Sequence, residues 1–256
     1  MKRHFKIIFR DFLGLWSVCG PGVALHWLWA VMTHLPACRR AGNLQPADAA
    51  VGDGPFRLTL GGARASLGGR RVLTGIRELW VRNVYLRGPL SIPPDANVVD
   101  LGANCGTFTA LALGHGNGVH VVAVEADGAE CKKLEAMLSL NRWQSRVKLI
   151  NAFVGGKTHV QEGMSPVKWI TQKEIVEAVG GGRVHLLKCD IEGSEFELFS
   201  GENPLLEITD QITMEVHPDL GDAAALLEKL KEAGFELTTD EFPPTIVVRA
   251  QRKKGN

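Results

Sequence analysis

Five short apolar runs in the sequence end on residues able to do chemistry. The first, Val98–Leu101, leads into Gly102, Asn104 and Gly106. Gly102 permits a tight turn and close backbone approach by a ligand, and Gly106 lets the next helix begin close to a sheet. Free N–H groups at that helix start, around Gly106 and Thr107, would face a bound cofactor, with Asn104 in the same loop. Asp100 is an odd neighbour for a pyrophosphate. It suits a cation, such as the amino or sulfonium group of S-adenosylmethionine. The second run ends on Glu125, 19 residues after Gly106, where a carboxylate can accept both hydroxyls of a ribose. The third leads to Asn151 and Ala152, a small polar residue and an apolar one that fit the border of an adenine ring. The fourth ends on Asp190, Glu192 and Glu195, carboxylates that repel unless solvated, protonated, metal-bound or paired with a cation. The fifth ends on Glu215 and His217, which strand alternation puts on one face.

Together these residues suit methyl transfer from a sulfonium. That donor is already activated, so a protein mainly supplies alignment and excludes water. A hydroxyl acceptor must also lose its proton, and Asp190 or His217 is the expected base, with Glu192 and Glu215 orienting the acceptor. A second version places a divalent ion, magnesium or manganese, on Asp190, Glu215 and His217. The plainer reading leaves His217 bonded locally to backbone and the carboxylates in solvent.

Strand ends converge only if the strands share a sheet. From Asn97 onward, apolar runs alternate with helical patterns such as Gly128–Asn141 and Asp222–Ala233. This predicts an α/β fold: a doubly wound, mostly parallel, seven-stranded Rossmann-like sheet, with Phe235–Thr238 and Thr245–Val248 closing it as an antiparallel pair. Ligands in such sheets bind at the carboxyl ends of the strands. A lead-in over 55–95 carries a strand at Phe56–Leu60, a second near Arg70–Leu73 and a helix from Ile76 to Leu86. The expected division is an N-terminal helical extension and linker over 1–54 and a catalytic domain over 55–256, its cofactor-binding core at 96–250.

The extension is apolar: residues 12–38 carry no Asp, Glu, Lys or Arg. That is long enough to cross a bilayer, which takes about 20 apolar residues. However, Gly20-Pro21-Gly22 interrupts the run, so two helices, Arg3–Cys19 and Val23–Leu35, either packed on the protein or lying on a membrane surface, are expected instead. Residues 41–55 read as a linker. The cytoplasm is the expected compartment, with membrane contact through residues 12–38 as the accompanying alternative. A formal net charge of +1 offers no bulk attraction to nucleic acid. Five unclustered cysteines suggest neither zinc nor a disulfide framework.

The segments Val98–Thr109 (VVDLGANCGTFT), Val121–Ala126 (VVAVEA), Leu186–Gly201 (LLKCDIEGSEFELFSG) and Met214–Pro218 (MEVHP) resemble the FkbM family of methyltransferases in order and spacing. The pattern Lys188, Asp190, Glu192, Gly193, Glu195 is the most specific element. The resemblance covers roughly 56–250. It implies an S-adenosylmethionine-dependent O-methyltransferase whose acceptor is a small molecule or glycan, such as a sugar, a polyketide or another secondary metabolite. Two departures stand out. Glu125 is followed by Ala126 where the family usually has proline, and the stretch over 155–182 is short. The rival readings are a non-catalytic cofactor-binding or membrane-associated assembly protein and a nicotinamide-dependent oxidoreductase. The missing G-x-G-x-x-G spacing speaks against the last.

Overall fold

The computed structural model describes residues 2–60, 63–69, 72–155, 168–242 and 244–253. The chain divides into two compact units, 1–84 and 85–256.

In the N-terminal unit, α1 (Lys2–Cys19) and α2 (Pro21–Thr33) form a hairpin about Gly20. Then follow α3 (Leu35–Ala41), α4 (Gln45–Val51), an antiparallel pair β1 (Phe56–Leu60) and β2 (Ala63–Leu67), and α5 (Val72–Gly75), which runs on as a π-helical turn over Ile76–Val81. Two helices therefore replace any continuous span. Among the described residues no helix is long and apolar enough to cross a membrane. The expected linker is instead partly helical, because Asp48 is needed inside. It is buried, and it accepts hydrogen bonds from Trp27 Nε1 (2.8 Å), Thr74 Oγ1 (2.8 Å) and both Nε and Nη2 of Arg77. Arg77 also reaches Asp11 at 2.7 Å, and Arg82 pairs with the same carboxylate. Burial alone would raise Asp11, but Arg82 and Arg77 hold its carboxyl below the ordinary value. The hairpin strand expected near Arg70 lies earlier, at Ala63–Leu67; Arg70 and Arg71 fall outside the described residues. The lead-in packs on α1 through β1 and the π-helical turn, so the units part after Val84 and not near residue 54.

The second unit is the expected α/β fold with one more strand than predicted. Its sheet holds β3 (Asn97–Leu101), β4 (His120–Glu125), β5 (Val147–Val154), β6 (Lys168–Ile170), β7 (Leu186–Cys189), β8 (Gln211–Val216), β9 (Phe235–Phe242) and β10 (Thr245–Arg252), in the order β6-β5-β4-β3-β7-β8-β10-β9. The additional strand is the short β6, parallel to the end of β5. All neighbours are parallel except the two made by β10. Between the strands run α6 (Thr107–Gly114), α7 (Gly128–Asn141), α8 (Gln172–Val179), α9 (Glu195–Leu198), α10 (Pro204–Glu207) and α11 (Ala223–Glu232). Asp127, Thr171 and Asp222 cap α7, α8 and α11 through their side chains. Every residue of β7 and four of five in β3 are buried. Successive side chains point to opposite faces, so both faces of the sheet centre are covered. The chain builds outward from β3 to β6, then returns to the other side of β3 with β7. That reversal opens the crevice at the strand ends.

Candidate active site

A cavity of about 220 Å³ opens where β3, β4, β5 and β7 end. On one side lie Gly102, Asn104, Glu125 and Ala126; apolar Ala152, Phe153 and Val154 line another; Asp190, Ile191, Glu192 and Ser194 complete it. The volume is below the ~300–1,000 Å³ common for small-molecule sites, so a ligand of nucleoside size would extend along the strand ends.

Gly102 has φ +72°, and a Cβ there would stand 1.8 Å from the Asp190 carbonyl oxygen, so no other residue fits. Gly106 (φ +87°) answers to packing, because a Cβ there would strike Leu134 and Met137 of α7. Neither Gly106 nor Thr107 lines the cavity. Thr107 is buried with its hydroxyl 3.4 Å from Cys105 Sγ. Glu125 accepts the backbone N–H groups of Asn104 (2.7 Å) and Asp127 (2.8 Å), one on each oxygen. Burial nevertheless leaves its carboxyl above the ordinary value. Asn151 does not face the cavity. Its amide donates to the carbonyls of Glu125 and Ala126, fixing the turn that presents Glu125, while Ala152 does line the wall.

Asp100 departs most from expectation. It is wholly buried, takes the Thr109 hydroxyl at 2.6 Å and lies 3.4 Å from Lys188 Nζ. It therefore meets this lysine and does not line the cavity. Lys188 also donates to the carbonyls of Leu101 (3.2 Å) and Gly102 (2.6 Å), tying β7 to the glycine loop. Burial would lower its pKa, but Asp100 and Asp190 together raise it, so it stays charged.

Asp190 Oδ2 lies 3.9 Å from Lys188 Nζ. Tyr85 is the chain's single tyrosine. Its hydroxyl sits between Asp190 Oδ2 (3.1 Å) and Glu215 Oε2 (3.0 Å), and can donate to either. Burial, then the charges of Asp190 and Glu215, keep the phenol protonated. Burial also raises Asp190, against the pull of Lys188. Glu215 is held further by the Thr245 hydroxyl at 2.7 Å.

Glu195 is buried and grips three groups: Gly193 N–H (2.8 Å), His217 N–H (2.9 Å) and His217 Nδ1 (3.0 Å). On the other ring nitrogen, Nε2 meets Glu192 Oε2 at 3.3 Å. Glu192 first, then Glu195, push the imidazole up to about 10, so at neutral pH it is a cation and a poor base. The groups placed to share a metal are Asp190, Glu192 and His217, their ligand atoms all within 4.8 Å of one another. Glu215, expected in that set, is instead engaged by Tyr85 and Thr245. Sequence reasoning missed Tyr85, whose spacing suggested only an apolar helix position. It also did not pair Lys188 with Asp100.

Residues 100–237, just over half of the chain, match the family described as Methyltransferase FkbM domain. The chain belongs to the FkbM methyltransferase family. Among curated proteins, this FkbM-family chain is similar to the AMB antimetabolite synthetase AmbE of Pseudomonas aeruginosa, 25% identical over 224 residues. The match covers 63% of this chain and 10% of AmbE, so the chain spans about a tenth of that relative. Among solved structures it is similar to the fibrillarin pre-rRNA processing protein of Methanococcus jannaschii (TM-score 0.48, 12% identity, 77% of this chain and 93% of that one). It is also similar to a precorrin-6y C5,15-methyltransferase from Geobacter metallireducens GS-15 (TM-score 0.47, 14% identity, 68% and 88%). Likeness at this level says nothing of substrate.

Proposed function

We propose that this FkbM-family chain transfers a methyl group from S-adenosylmethionine to a hydroxyl of a small-molecule or glycan acceptor. One observation carries the reading: the strand-end site holds more acid than base. Among the described residues, Asp100, Asp190, Glu192, Glu195 and Glu215 have Lys188 and His217 as their basic partners. A cationic donor relieves that excess where an anionic dinucleotide would worsen it.

The residues fit such a donor. Glu125, fixed by two backbone N–H groups, retains lone pairs for a ribose diol. Gly102 and Asn104 bring backbone close, and Ala152, Phe153 and Val154 offer an apolar wall for a base. S-adenosylmethionine, when bound, supplies an activated methyl group. The chain's own part is to bind, align and deprotonate. Asp190 is the better base, because its raised pKa comes from burial, while His217 is already protonated. Tyr85, shared between Asp190 and Glu215, orients that carboxylate. His217 and Glu192 then border the acceptor as a fixed charged pair.

Calorimetric titration with S-adenosylhomocysteine, beside NADH, tests the cofactor class. Micromolar binding of the first alone is expected. A folded sample that gives no heat with S-adenosylhomocysteine overturns the reading.

A second reading places a divalent ion on Asp190, Glu192 and His217. Glu195 on Nδ1 would then orient the ring so that Nε2 faces the ion. Methyl transfer that survives EDTA undiminished excludes it.

A further inference from the structure

The N-terminal hairpin exposes large apolar side chains in one row on each helix. Phe9, Leu13 and Trp16 on α1 recur at intervals of four and three, and so do Leu25, Trp29 and Met32 on α2. All six are between 46% and 61% exposed. They are not the leftover face of a failed core. The opposite side of the same helices buries Leu15, Val18, Ala24, Trp27, Ala30 and Val31 against the rest of the unit. Each helix is therefore apolar on both sides, and among the described residues one side is buried and the other half-exposed.

The exposed charges on α1 and α3 have a single sign, and an exposed acid, Glu78, lines the cavity at one end of the hairpin. Lys6, Arg10, Arg39 and Arg40 are exposed. Before Asp48 the only acidic residue is Asp11, which is buried and held by arginines. Lys6 and Arg10 follow the α1 row around the helix, so the apolar stripe has a basic flank. The hairpin also gathers charge at one end: Lys6 of α1 and Arg39 of α3 line the same cavity of about 940 Å³, whose wall includes Ile7, Ile8, Leu35 and Leu44. The turn at Gly20 carries no charge.

We infer that this face is a docking surface for an anionic lipid membrane. Phe, Leu and Trp enter the boundary between headgroups and acyl chains, and the lysine and arginines meet lipid phosphates. Charge complementarity selects this occupant. An acidic patch for a second copy to offer in return is missing from these helices. Two indole rings, amphipathic and rigid, match the bilayer interface. The hairpin lies in the plane of that interface without crossing it.

Flotation of the full chain with vesicles separates the possibilities. Vesicles of phosphatidylcholine with about 30 mol% phosphatidylglycerol should carry the protein, and neutral phosphatidylcholine vesicles should not. The triple variant Trp16→Glu, Leu25→Glu, Trp29→Glu alters only exposed positions and should stay behind, with an unchanged circular dichroism melt. A second triple variant, Lys6→Gln, Arg39→Gln, Arg40→Gln, should bind about 10–100-fold more weakly. The inference is overturned if the full chain stays in the dense fraction with anionic vesicles, or if it binds neutral vesicles equally well. It is also overturned if sedimentation without lipid shows a dimer that the first variant disperses.

Discussion

Buried charge occurs in two places in this molecule, and the two are built on opposite plans. In the N-terminal unit, Asp11 and Asp48 face Arg10, Arg77 and Arg82, so each buried carboxylate has at least one guanidinium partner. Trp27 and Thr74 take up what acceptor capacity remains on Asp48. At the strand ends, the described carboxylates outnumber the described basic groups, and Asp190 and Glu192 among them line a cavity. A balanced cluster needs nothing further and serves to hold helices together. An unbalanced one leaves room for a cation, the part given to the donor in the proposed function.

That contrast can be broken first at Arg77. Arg77→Ala leaves two buried carboxylates short of a partner and should cost about 3–5 kcal/mol in urea unfolding of the N-terminal unit. A change near zero would mean that the network is not buried as described. Asp190→Asn should lower methyl transfer by about 10²–10⁴-fold, the range for a lost general base, with S-adenosylhomocysteine affinity within a few-fold of the parent. If affinity falls as far as rate, Asp190 holds the donor. Glu125→Ala should instead weaken S-adenosylhomocysteine by about 10–150-fold, which is the ~1.5–3 kcal/mol of a charge-assisted hydrogen bond.

Smaller effects sharpen the picture. Folded His217 titrates at about 10 against an ordinary 6.5, so its ion pairs stabilise fully below pH 6.5 and lose their contribution as pH rises toward 10. Stability measured across that window should decline by about 1.5–3 kcal/mol, and Glu195→Gln should flatten the decline. Tyr85→Phe removes one hydroxyl between two carboxylates. It should raise the apparent pKa of the base in the rate profile and slow turnover by about 2–10-fold.

The sheet and its strand-end residues were legible because they obey local rules. Buried parallel strands read as unbroken apolar runs, and a residue just beyond such a run must stand at the crevice. Glu125, Asp190 and Glu192 line the cavity as that rule expects. What local rules could not supply was pairing across long sequence intervals. Asp100 looked like a ligand contact because nothing in its neighbourhood showed Lys188, 88 residues on, filling the same space. Tyr85 looked like core because its partners lie 105 and 130 residues away. Asp48 looked like linker for the same reason: Trp27 and Arg77 justify its burial, and neither is near it in sequence. Of the short stretch over 155–182, residues 156–167 fall outside the described residues.

The contact between Gly102 and the Asp190 carbonyl has a mechanical consequence. With no room for even a methyl group between them, the glycine loop and the carboxylate loop behave as two faces of one vice, pinned together again by Lys188. Whatever shifts one jaw shifts the other. The spacing between the glycine loop and the Asp190 loop is therefore set when the chain folds.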